Sequence, residues 1–405
     1  MNTRADALII GGGPAGTSTA VWLAEAGWRV TLVEQHRFPR QKVCGECLGA
    51  GSFPLLDALG VGSEVRQAAG APLTRVGWMD ATRRLTARMP QSLAPYAYGH
   101  ALGRDVFDSI LLARAQYAGV DIHQPARVVS VNGEPGDFHC DITIGPRSTA
   151  GLSAAVIIDA HGSWEHGPRR LVANAPRDPT ERVAQASDLF GFKASFCNTS
   201  LSPGWLPVFA LNGGYGGMVV ANAGRTTLAL CMRRDTLRRV RMRYPGVAAG
   251  VALEHHLRTS CQGVREALQN GQRQGAWLSI GPLQTGTRLT DTPGIYRVGN
   301  AAGEAHPLVG EGMTMALQSA RALTRHLIEY AARKGDVRQH QAAARAYAHS
   351  WRQLFSSRLR VAGCYAQIAM QPALSEPVGK LLNHWPGLLT AAAAFAGKAR
   401  RKEFA

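Results

Sequence analysis

The sequence predicts an α/β fold: a Rossmann-type domain with an inserted α+β domain and C-terminal helices. First, an apolar strand, Ala7–Ile10, runs into a glycine turn at 11–16, and a helix and a second strand ending at Glu34 follow. This order is the βαβ unit of an open parallel sheet. Second, the same order occurs again at 294–333, where an apolar strand runs into glycines and a long helix follows. Third, the strand-rich stretch before that return lacks the βαβ pattern, which indicates a separate sheet.

The turn after the first strand is Gly-Gly-Gly-Pro-Ala-Gly and fits the pattern G-x-G-x-x-G. Its first glycine allows a tight turn, its second lets the backbone approach a pyrophosphate, and its third lets the helix pack on the strand. The helix would direct its N-terminal N–H groups at the phosphates, and an acid about 20 residues further on can accept ribose hydroxyls. The residues expected to contact a dinucleotide here are Gly11, Gly13, Pro14, Ala15, Gly16 and Glu34.

Composition and charge restrict the class of protein. A chain of 405 residues with 45% hydrophobic and 18% charged residues is an ordinary globular protein of two or three domains. The net charge is +17, yet the two densest basic runs, 233–243 and 398–402, are not interleaved with aromatic residues, so we expect no nucleic-acid partner. A basic surface equally suits anionic cofactors, an acidic carrier protein or a membrane surface.

The cysteines and the apolar runs indicate a cytoplasmic location. The seven cysteines are odd in number and widely spread, which favours reduced thiols. The first residues lead directly into the first strand, so no signal peptide is expected before it. The longest late apolar run, 388–397, is too short for a bilayer span, which needs ~20 residues.

The loop after Glu34 carries two cations and two cysteines. Arg40 and Lys42 can neutralise phosphate or ribose oxygens. The pair Cys44 and Cys47 forms a C-x-x-C spacing, which fits a redox dithiol, a zinc site or two small residues in a tight loop. Because zinc needs two further ligands and the sequence has no second pair, we expect no metal.

The glycine turn, Glu34 and the motif Phe38-Pro-Arg-Gln-Lys-Val-Cys-Gly-Glu46 together resemble the opening of FAD-dependent oxidoreductases of the geranylgeranyl-reductase-like branch. That branch lies in the superfamily of the aromatic hydroxylases with the p-hydroxybenzoate hydroxylase fold and the flavin-dependent halogenases. The resemblance implies FAD as the cofactor and NAD(P)H as an external reductant. It also implies cofactor contacts from Arg40, Cys44 and Gly45, and it makes Glu46 a candidate catalytic residue.

Two later stretches extend this resemblance. An Arg-x-x-Phe-Asp element begins the helix at Arg104, whose side chain is implied to reach the FAD diphosphate or ribityl group; the alternative is a simple pair with an acid. Val128, on a predicted hairpin strand, is a further implied contact. The strand ending at Asp159 enters a turn that resembles the superfamily's second motif, which implies cofactor contacts from Asp159 and Gly162. Two inserted residues in this turn leave the nicotinamide contact open.

The stretch 294–313 resembles the superfamily's third motif, with an asparagine in place of its aspartate. An amide can still bond a ribityl hydroxyl. The resemblance implies that His306, which is either a proton-handling or a structural residue, and Pro307 lie near the reacting edge of the flavin. The implied cofactor contacts in this stretch are Asn300, Gly310, Gly312 and Met313.

We divide the chain into three parts from these patterns. The FAD-binding domain comprises 1–70, 100–180 and 287–340, the substrate domain comprises 71–99 and 181–286, and the C-terminal helical segment comprises 341–405. Within the substrate domain, Asn212–Gly217 is predicted as a glycine-rich turn. Its glycines surround Tyr215 and would let the backbone approach the flavin or the substrate; the alternative is a hairpin turn without such a contact.

Three activities fit such a flavoprotein. A monooxygenase would hydroxylate an aromatic or polyketide-like small molecule in secondary metabolism, a prenyl-type reductase would saturate a lipophilic C=C bond, and a halogenase would oxidise halide. Halogenases carry the motif Trp-x-Trp-x-Ile-Pro, of which only Trp205-Leu-Pro207 is similar here. Lys193 does not lie beside a motif of this kind. The Tyr-x-Trp-x-Phe-Pro motif of prenyl reductases is also missing, so the sequence favours monooxygenation. A flavoprotein without catalysis is the non-enzymatic alternative.

Overall fold

The computed structural model describes residues 4–92, 95–145, 148–162, 183–290 and 292–398. The strands are β1 (Ala5–Ile10), β2 (Val30–Val33), β3 (Cys47–Leu48), β4 (Arg75–Met79), β5 (Arg84–Arg88), β6 (His100–Ala101), β7 (Asp121–His123), β8 (Ala126–Glu134), β9 (Asp137–Ile144), β10 (Ser148–Asp159), β11 (Leu189–Cys197), β12 (Trp205–Leu211), β13 (Gly214–Val220), β14 (Thr226–Arg233), β15 (Gln272–Ile280), β16 (Gly286–Thr287), β17 (Ile295–Arg297) and β18 (Gly303–Glu304). The helices are α1 (Pro14–Glu25), α2 (Phe53–Ala58), α3 (Gly62–Ala68), α4 (Arg104–Tyr117), α5 (Arg234–Arg243), α6 (Ala249–Ser260), α7 (Gln262–Ala267), α8 (Gly312–Glu329), α9 (Val337–Met370), α10 (Pro372–His384) and α11 (Gly387–Ala393).

The first sheet has the order β7-β2-β1-β10-β9-β8, with β17 beside the end of β10. Strands β7, β2, β1, β17 and the end of β10 are parallel, while β8 and β9 add an antiparallel hairpin. Ile10 lies between Val33 and Asp159 in this register, so three parallel strands end at one edge. The carboxyl edge of an open parallel sheet is where ligands bind in α/β folds.

Helices α1, α4 and α8 pack together beside the first sheet. Their buried side chains form one continuous core with the sheet, including Trp22, Phe107 and Leu317. Full burial of each such side chain contributes roughly 1.5–3 kcal/mol. This packing fixes the starts of α1 and α8 next to the ends of the parallel strands.

The second sheet has the order β15-β11-β14-β13-β12-β4-β5. It combines β4 and β5, from the stretch 71–99, with strands from the stretch 181–286; the boundary at 180 lies outside the described residues. The turn predicted over Asn212–Gly217 lies between two strands as expected but is confined to Asn212 and Gly213, because β13 already begins at Gly214 and pairs with β12 and β14. Strand β15, where the sequence analysis placed no element, pairs with β11 at the sheet edge.

The C-terminal helices join the two sheets. Helix α9 packs on α8 and continues across β12 and β13, and α11 lies against β4 and β5. Trp351 and Phe355 on α9 are almost completely buried in the core of the first sheet. The basic run at 398–402 continues beyond the described residues. Across the described ranges, we find no helix with the length and apolarity needed to cross a membrane.

Candidate functional site

The glycine turn after β1 is held by contacts that admit no side chain. Gly11 has a φ of 108°, and a Cβ there would lie 2.5 Å from the carbonyl oxygen of Ala160. A Cβ on Gly16 would lie 1.9 Å from the carbonyl oxygen of Gly11, so α1 packs directly on the turn. Helix α1 begins at Pro14, and its N-terminal N–H groups have no helical partners. This helix end is therefore suited to an anionic group.

Glu34 organises the neighbouring corner of the site. One carboxylate oxygen accepts the backbone N–H of Gly12 at 2.7 Å, and the other accepts the N–H of His36 at 2.8 Å. Its side chain is only 2% exposed. These bonds hold the carboxylate beside the glycine turn, where an adenosine ribose would lie in a dinucleotide site.

Two arginines and a buried acid form a cluster next to that turn. Arg104 donates two hydrogen bonds of 2.7 Å to Asp108, and its Nη2 lies 3.6 Å from the position of a Cβ on Gly13. Burial opposes the charge, but the Asp108 carboxylate raises the pKa of Arg104. Arg40 lies 3.5 Å from Glu34 and 3.7 Å from Asp108. Both guanidinium groups are therefore charged and ready to face a diphosphate.

The sequence analysis missed Asp108 as part of this cluster. Asp108 follows Arg104 by four residues on α4, and residues at that spacing lie on one face of a helix. The i,i+4 spacing was therefore the signal that could have found the pair. Asp105, in the first turn of α4, accepts two hydrogen bonds from Arg225, which lower the pKa of its carboxyl group.

These groups line one cavity of about 1100 Å³, which runs from the glycine turn to the start of α8. We call it the cofactor cavity. It collects most of the residues that the sequence analysis singled out: Gly11, Gly13, Pro14, Ala15, Glu34, Arg40, Cys44, Gly45, Glu46, Arg104, Gly162, Asn300, His306, Pro307, Gly310, Gly312 and Met313.

Three other candidate residues lie behind the cavity wall. Gly16 packs α1 on the turn, and Val128 is buried in the core beneath the β8–β9 hairpin. Asp159 is fully buried and contacts His161 Nδ1 and, at 3.4 Å, Arg297 Nε. Burial acts to raise its pKa, but these contacts outweigh burial and lower it. The structure thus places all three as supports of the cavity.

Glu46 joins the cofactor loop to the second sheet. It has a φ of 58° and is fully buried. Its carboxylate pairs with Lys193 Nζ and accepts the Thr227 hydroxyl and, at 3.1 Å, the N–H of Arg104. Lys193, which is 1% exposed, also donates to Gln41 at 2.8 Å. The carboxylate is thus fully engaged, so this geometry favours a positioning role for Glu46.

We expect that replacing Lys193 with methionine will lower the free energy of unfolding by about 3–5 kcal/mol, because it leaves a buried carboxylate unpaired. The double variant Lys193→Met/Glu46→Gln should recover more than half of this loss. Arg4→Met removes one partner of an exposed ion pair of 3.9 Å and should cost under ~1 kcal/mol. Urea unfolding of the variants measures each value; an equal loss in the single and double variants would contradict the assignment.

The far end of the cofactor cavity meets a second cavity. Pro307 and Gly310 line both, as do Cys44 and Gly45 from the opposite side. The second cavity, of about 680 Å³, lies against β11, β12, β13 and β14 of the second sheet. We call it the substrate cavity. Its lining is predominantly apolar, as in sites for small organic molecules.

Tyr215 and His306 connect across this junction. The Tyr215 hydroxyl lies 3.0 Å from His306 Nδ1, and Tyr215 lines the substrate cavity while His306 lines the cofactor cavity. Burial lowers the pKa of His306 and raises that of Tyr215. Both are therefore neutral near pH 7, and in the tautomer that carries its proton on Nε2, His306 accepts the hydrogen bond from the Tyr215 phenol. Burial also raises the pKa of the adjoining Cys231 thiol to about 12.

The C-x-x-C pair shows neither a disulfide nor a metal site. Neither thiol of this pair is in a disulfide among the described residues; the Cys44 sulfur accepts the N–H of Glu46 at 3.3 Å, and the Cys47 thiol donates to the carbonyl of Gly45. No group of three or more potential ligands that could hold a metal ion occurs within the ranges described. The two sulfurs shape a tight loop beside the junction of the cavities.

The residues of the cofactor cavity fit FAD. The side-chain-free turn at Gly11 and Gly13 and the start of α1 suit a diphosphate, and Glu34 suits the adenosine ribose. The Nε of Arg40 is buried and has no hydrogen-bond partner among the residues described, so it retains a donor for an anion. At the other end, Gly312 and Met313 present the N-terminus of α8 to the cavity, as suits an electron-rich flavin ring.

Comparisons with known proteins agree with this fit. Residues 4–198 match the family model described as "FAD binding domain". This stretch, a little under half of the chain, is similar to that family, and the prediction of FAD as the cofactor is confirmed.

A solved structure extends the likeness to almost the whole chain, whereas two curated relatives match short stretches of it. The myxobacterial chondrochloren halogenase CndH superposes with a TM-score of 0.74 at 19% identity, covering 96% of this chain and 90% of that one. Menaquinone reductase of Mycolicibacterium smegmatis is 46% identical over 63 residues, 16% of this chain and 15% of its own. The 6-methylpretetramide 4-monooxygenase of Streptomyces rimosus is 48% identical over 56 residues, 14% of this chain and 13% of its own.

The predicted fold class and the resemblance to the flavin-dependent hydroxylases, halogenases and reductases are confirmed by these matches. The chain aligns with less than a fifth of the length of the two relatives. The relatives differ in reaction, so the choice of activity depends on the site itself.

Proposed function

We propose that this protein is an FAD-dependent monooxygenase that hydroxylates an apolar, uncharged small molecule with NAD(P)H as the reductant. The observation that carries the proposal is the apolar substrate cavity that meets the cofactor cavity at Pro307 and Gly310. A cavity without charged side chains selects a neutral substrate, because a buried charge without a partner is costly.

Bound FAD would supply the redox chemistry: it accepts hydride from NAD(P)H and activates O2. The chain's own residues bind and orient. Arg40, Arg104 and the start of α1 hold the diphosphate, and Glu34 holds the ribose. At the reacting end, apolar walls exclude water. The Tyr215 oxygen can accept the proton of a substrate hydroxyl while the proton of Tyr215 passes to neutral His306, which lies 3.0 Å away.

The test supplies FAD-loaded protein with NADPH or NADH, isotopically labelled O2 and a panel of alkyl-substituted phenols and quinols. We expect a hydroxylated product that contains labelled oxygen, formed in an amount equal to the NAD(P)H consumed. Product without labelled oxygen, or NAD(P)H consumption that yields only hydrogen peroxide with every member of the panel, would overturn it.

A reductase is the second candidate. Two features favour it. The substrate cavity is apolar, and the protonated Tyr215 could supply the proton that completes the addition of hydride to a C=C bond. The similarity to a menaquinone reductase supports it further. Under strictly anaerobic conditions, only the reductase would convert an alkenyl-substituted panel member to its saturated product with stoichiometric NAD(P)H.

A further inference from the structure

A third cavity lies beyond the substrate cavity and has no part in the assignments above. It measures about 820 Å³, part of which is open to solvent, and is bordered by β4, β12, α9, α10 and α11. Its lining is almost entirely aliphatic and aromatic; Leu382, Leu389 and Ala393 come from the C-terminal helices. We call it the distal cavity. A concave apolar space of this size is typical of a binding site for a small organic molecule.

The few polar atoms in its wall are already satisfied. The Tyr365 hydroxyl donates to the carbonyl of Ala392 at 3.2 Å, and Trp78 Nε1 donates to Asp80. No charged side chain lines the distal cavity. The space therefore offers nothing to a charged or hydrogen-bonding ligand and suits a hydrocarbon.

The substrate and distal cavities lie on the same face of the second sheet. Val208 on β12 is paired with Trp78 on β4 and with Gly217 on β13, and Gly217 is paired with Ala229 on β14. Trp78 lines the distal cavity, Gly217 and Ala229 line the substrate cavity, and Val208 lines both. The absence of a side chain at Gly217 keeps this row open above β13.

The opposite wall is also shared. Leu308 and Val309, in the turn that follows Pro307, line both cavities, as does Leu206 from β12. Pro307 itself lines the cofactor and substrate cavities. The turn Pro307–Val309 thus borders all three spaces, and the substrate and distal cavities share the side chains of Leu206, Val208, Leu308 and Val309.

We propose that the distal cavity binds an unbranched or prenyl-like hydrocarbon tail of the substrate, while the oxidised head group lies in the substrate cavity. This inference rests on the proposed function for the identity of the ligand as substrate. The head group lies beside Tyr215, and the tail passes between Val208 and the turn at Leu308 and Val309. The substrate is thus an amphiphile with a compact ring and a chain too long for the substrate cavity alone.

The test measures binding without turnover, so it is independent of the reaction. The FAD-loaded protein is titrated calorimetrically, without NAD(P)H, with 4-alkylphenols from methyl to dodecyl. Each methylene that leaves water should lower Kd up to about fourfold, until the chain fills the distal cavity and Kd levels off. Ala393→Trp places a large side chain in the distal cavity and should move this plateau to shorter chains.

The expected difference is at least tenfold weaker binding of dodecylphenol to Ala393→Trp, with methylphenol within twofold of the unaltered protein. Ala391→Trp is the matched control, because Ala391 lies two positions earlier on α11 and is exposed. Val378→Phe fills the same cavity from α10 and replaces Ala393→Trp if that variant does not fold. A plateau at the same chain length in all proteins, or no dependence on chain length, would overturn the inference. Binding that depends on the length of the alkyl chain, without formation of a hydroxylated product, would support the tail site and contradict only the proposed monooxygenase activity.

Discussion

Replacing Arg104 with alanine is expected to weaken FAD binding by about 100-fold or more. The change removes a buried cation beside the glycine turn and leaves the Asp108 carboxylate, 1% exposed, next to the diphosphate with only Arg40 as a partner. Breaking one side of such a pair costs about 3–5 kcal/mol, which is equivalent to a factor of ~100 or more in Kd. Titration of the apoprotein with FAD, followed by flavin fluorescence, measures the change.

The control for this variant is Arg241→Ala. Arg241 is an exposed residue of α5, so its loss changes the net charge equally without touching the cofactor cavity. Its FAD affinity should stay within about twofold of the unaltered protein, because exposed charges are strongly screened. Equal weakening in both variants would mean that the overall positive charge, and not the Arg104 cluster, attracts the cofactor.

The second large effect is expected at Tyr215. Tyr215→Phe retains the ring in the wall of the substrate cavity but removes the hydroxyl that lies 3.0 Å from His306 Nδ1. A positioned group that transfers a proton typically contributes 10²–10⁴-fold, so we expect kcat to fall by about 100-fold or more, with KM and FAD affinity nearly unchanged. Tyr347→Phe is the matched control, because that buried hydroxyl donates to the backbone of Arg297 and lines neither cavity. A similar kcat for both variants would exclude the role of Tyr215.

The dependence of this activity on pH follows from His306. Burial places its pKa below the ordinary value of 6.5, so the imidazole is neutral and able to accept above that pH. The protonated form cannot accept from Tyr215. We therefore expect kcat to be constant above pH 6.5 and to fall only as the pH drops through the lowered pKa. His306→Asn should abolish this fall of kcat at acidic pH. The same fall in that variant would mean that another group titrates.

The nucleotide end of the site could be predicted because its signals are local. The glycine turn, the start of α1 and the acid that ends β2 lie within one βαβ unit, and their order follows from strand and helix periodicity alone. The same reasoning predicted too long a turn at Asn212–Gly217. There Gly214, Gly216 and Gly217 belong to β13 and only Gly213 lies in the turn, because pairing with β12 and β14 on both sides outweighs the low strand propensity of glycine.

The reacting end could not be assembled from the sequence because its contacts depend on how the two sheets pack. Tyr215 meets His306 across 91 positions, and Lys193 meets Glu46 across 147. No periodicity links residues so far apart. The distal cavity likewise depends on where α10 and α11 lie over β4 and β12, which is set by tertiary packing and not by the alanine-rich composition of the segment.

FAD is expected to bind with its adenosine at Glu34, its diphosphate beside Arg104 and its ring system at Pro307, where the cofactor and substrate cavities meet. A crystal structure of the FAD complex tests it most directly. We predict density for the ring system between Pro307 and the backbone of Gly312 and Met313, with one edge facing Tyr215. Density that placed the ring system away from this junction, or the adenine at Pro307, would contradict the account.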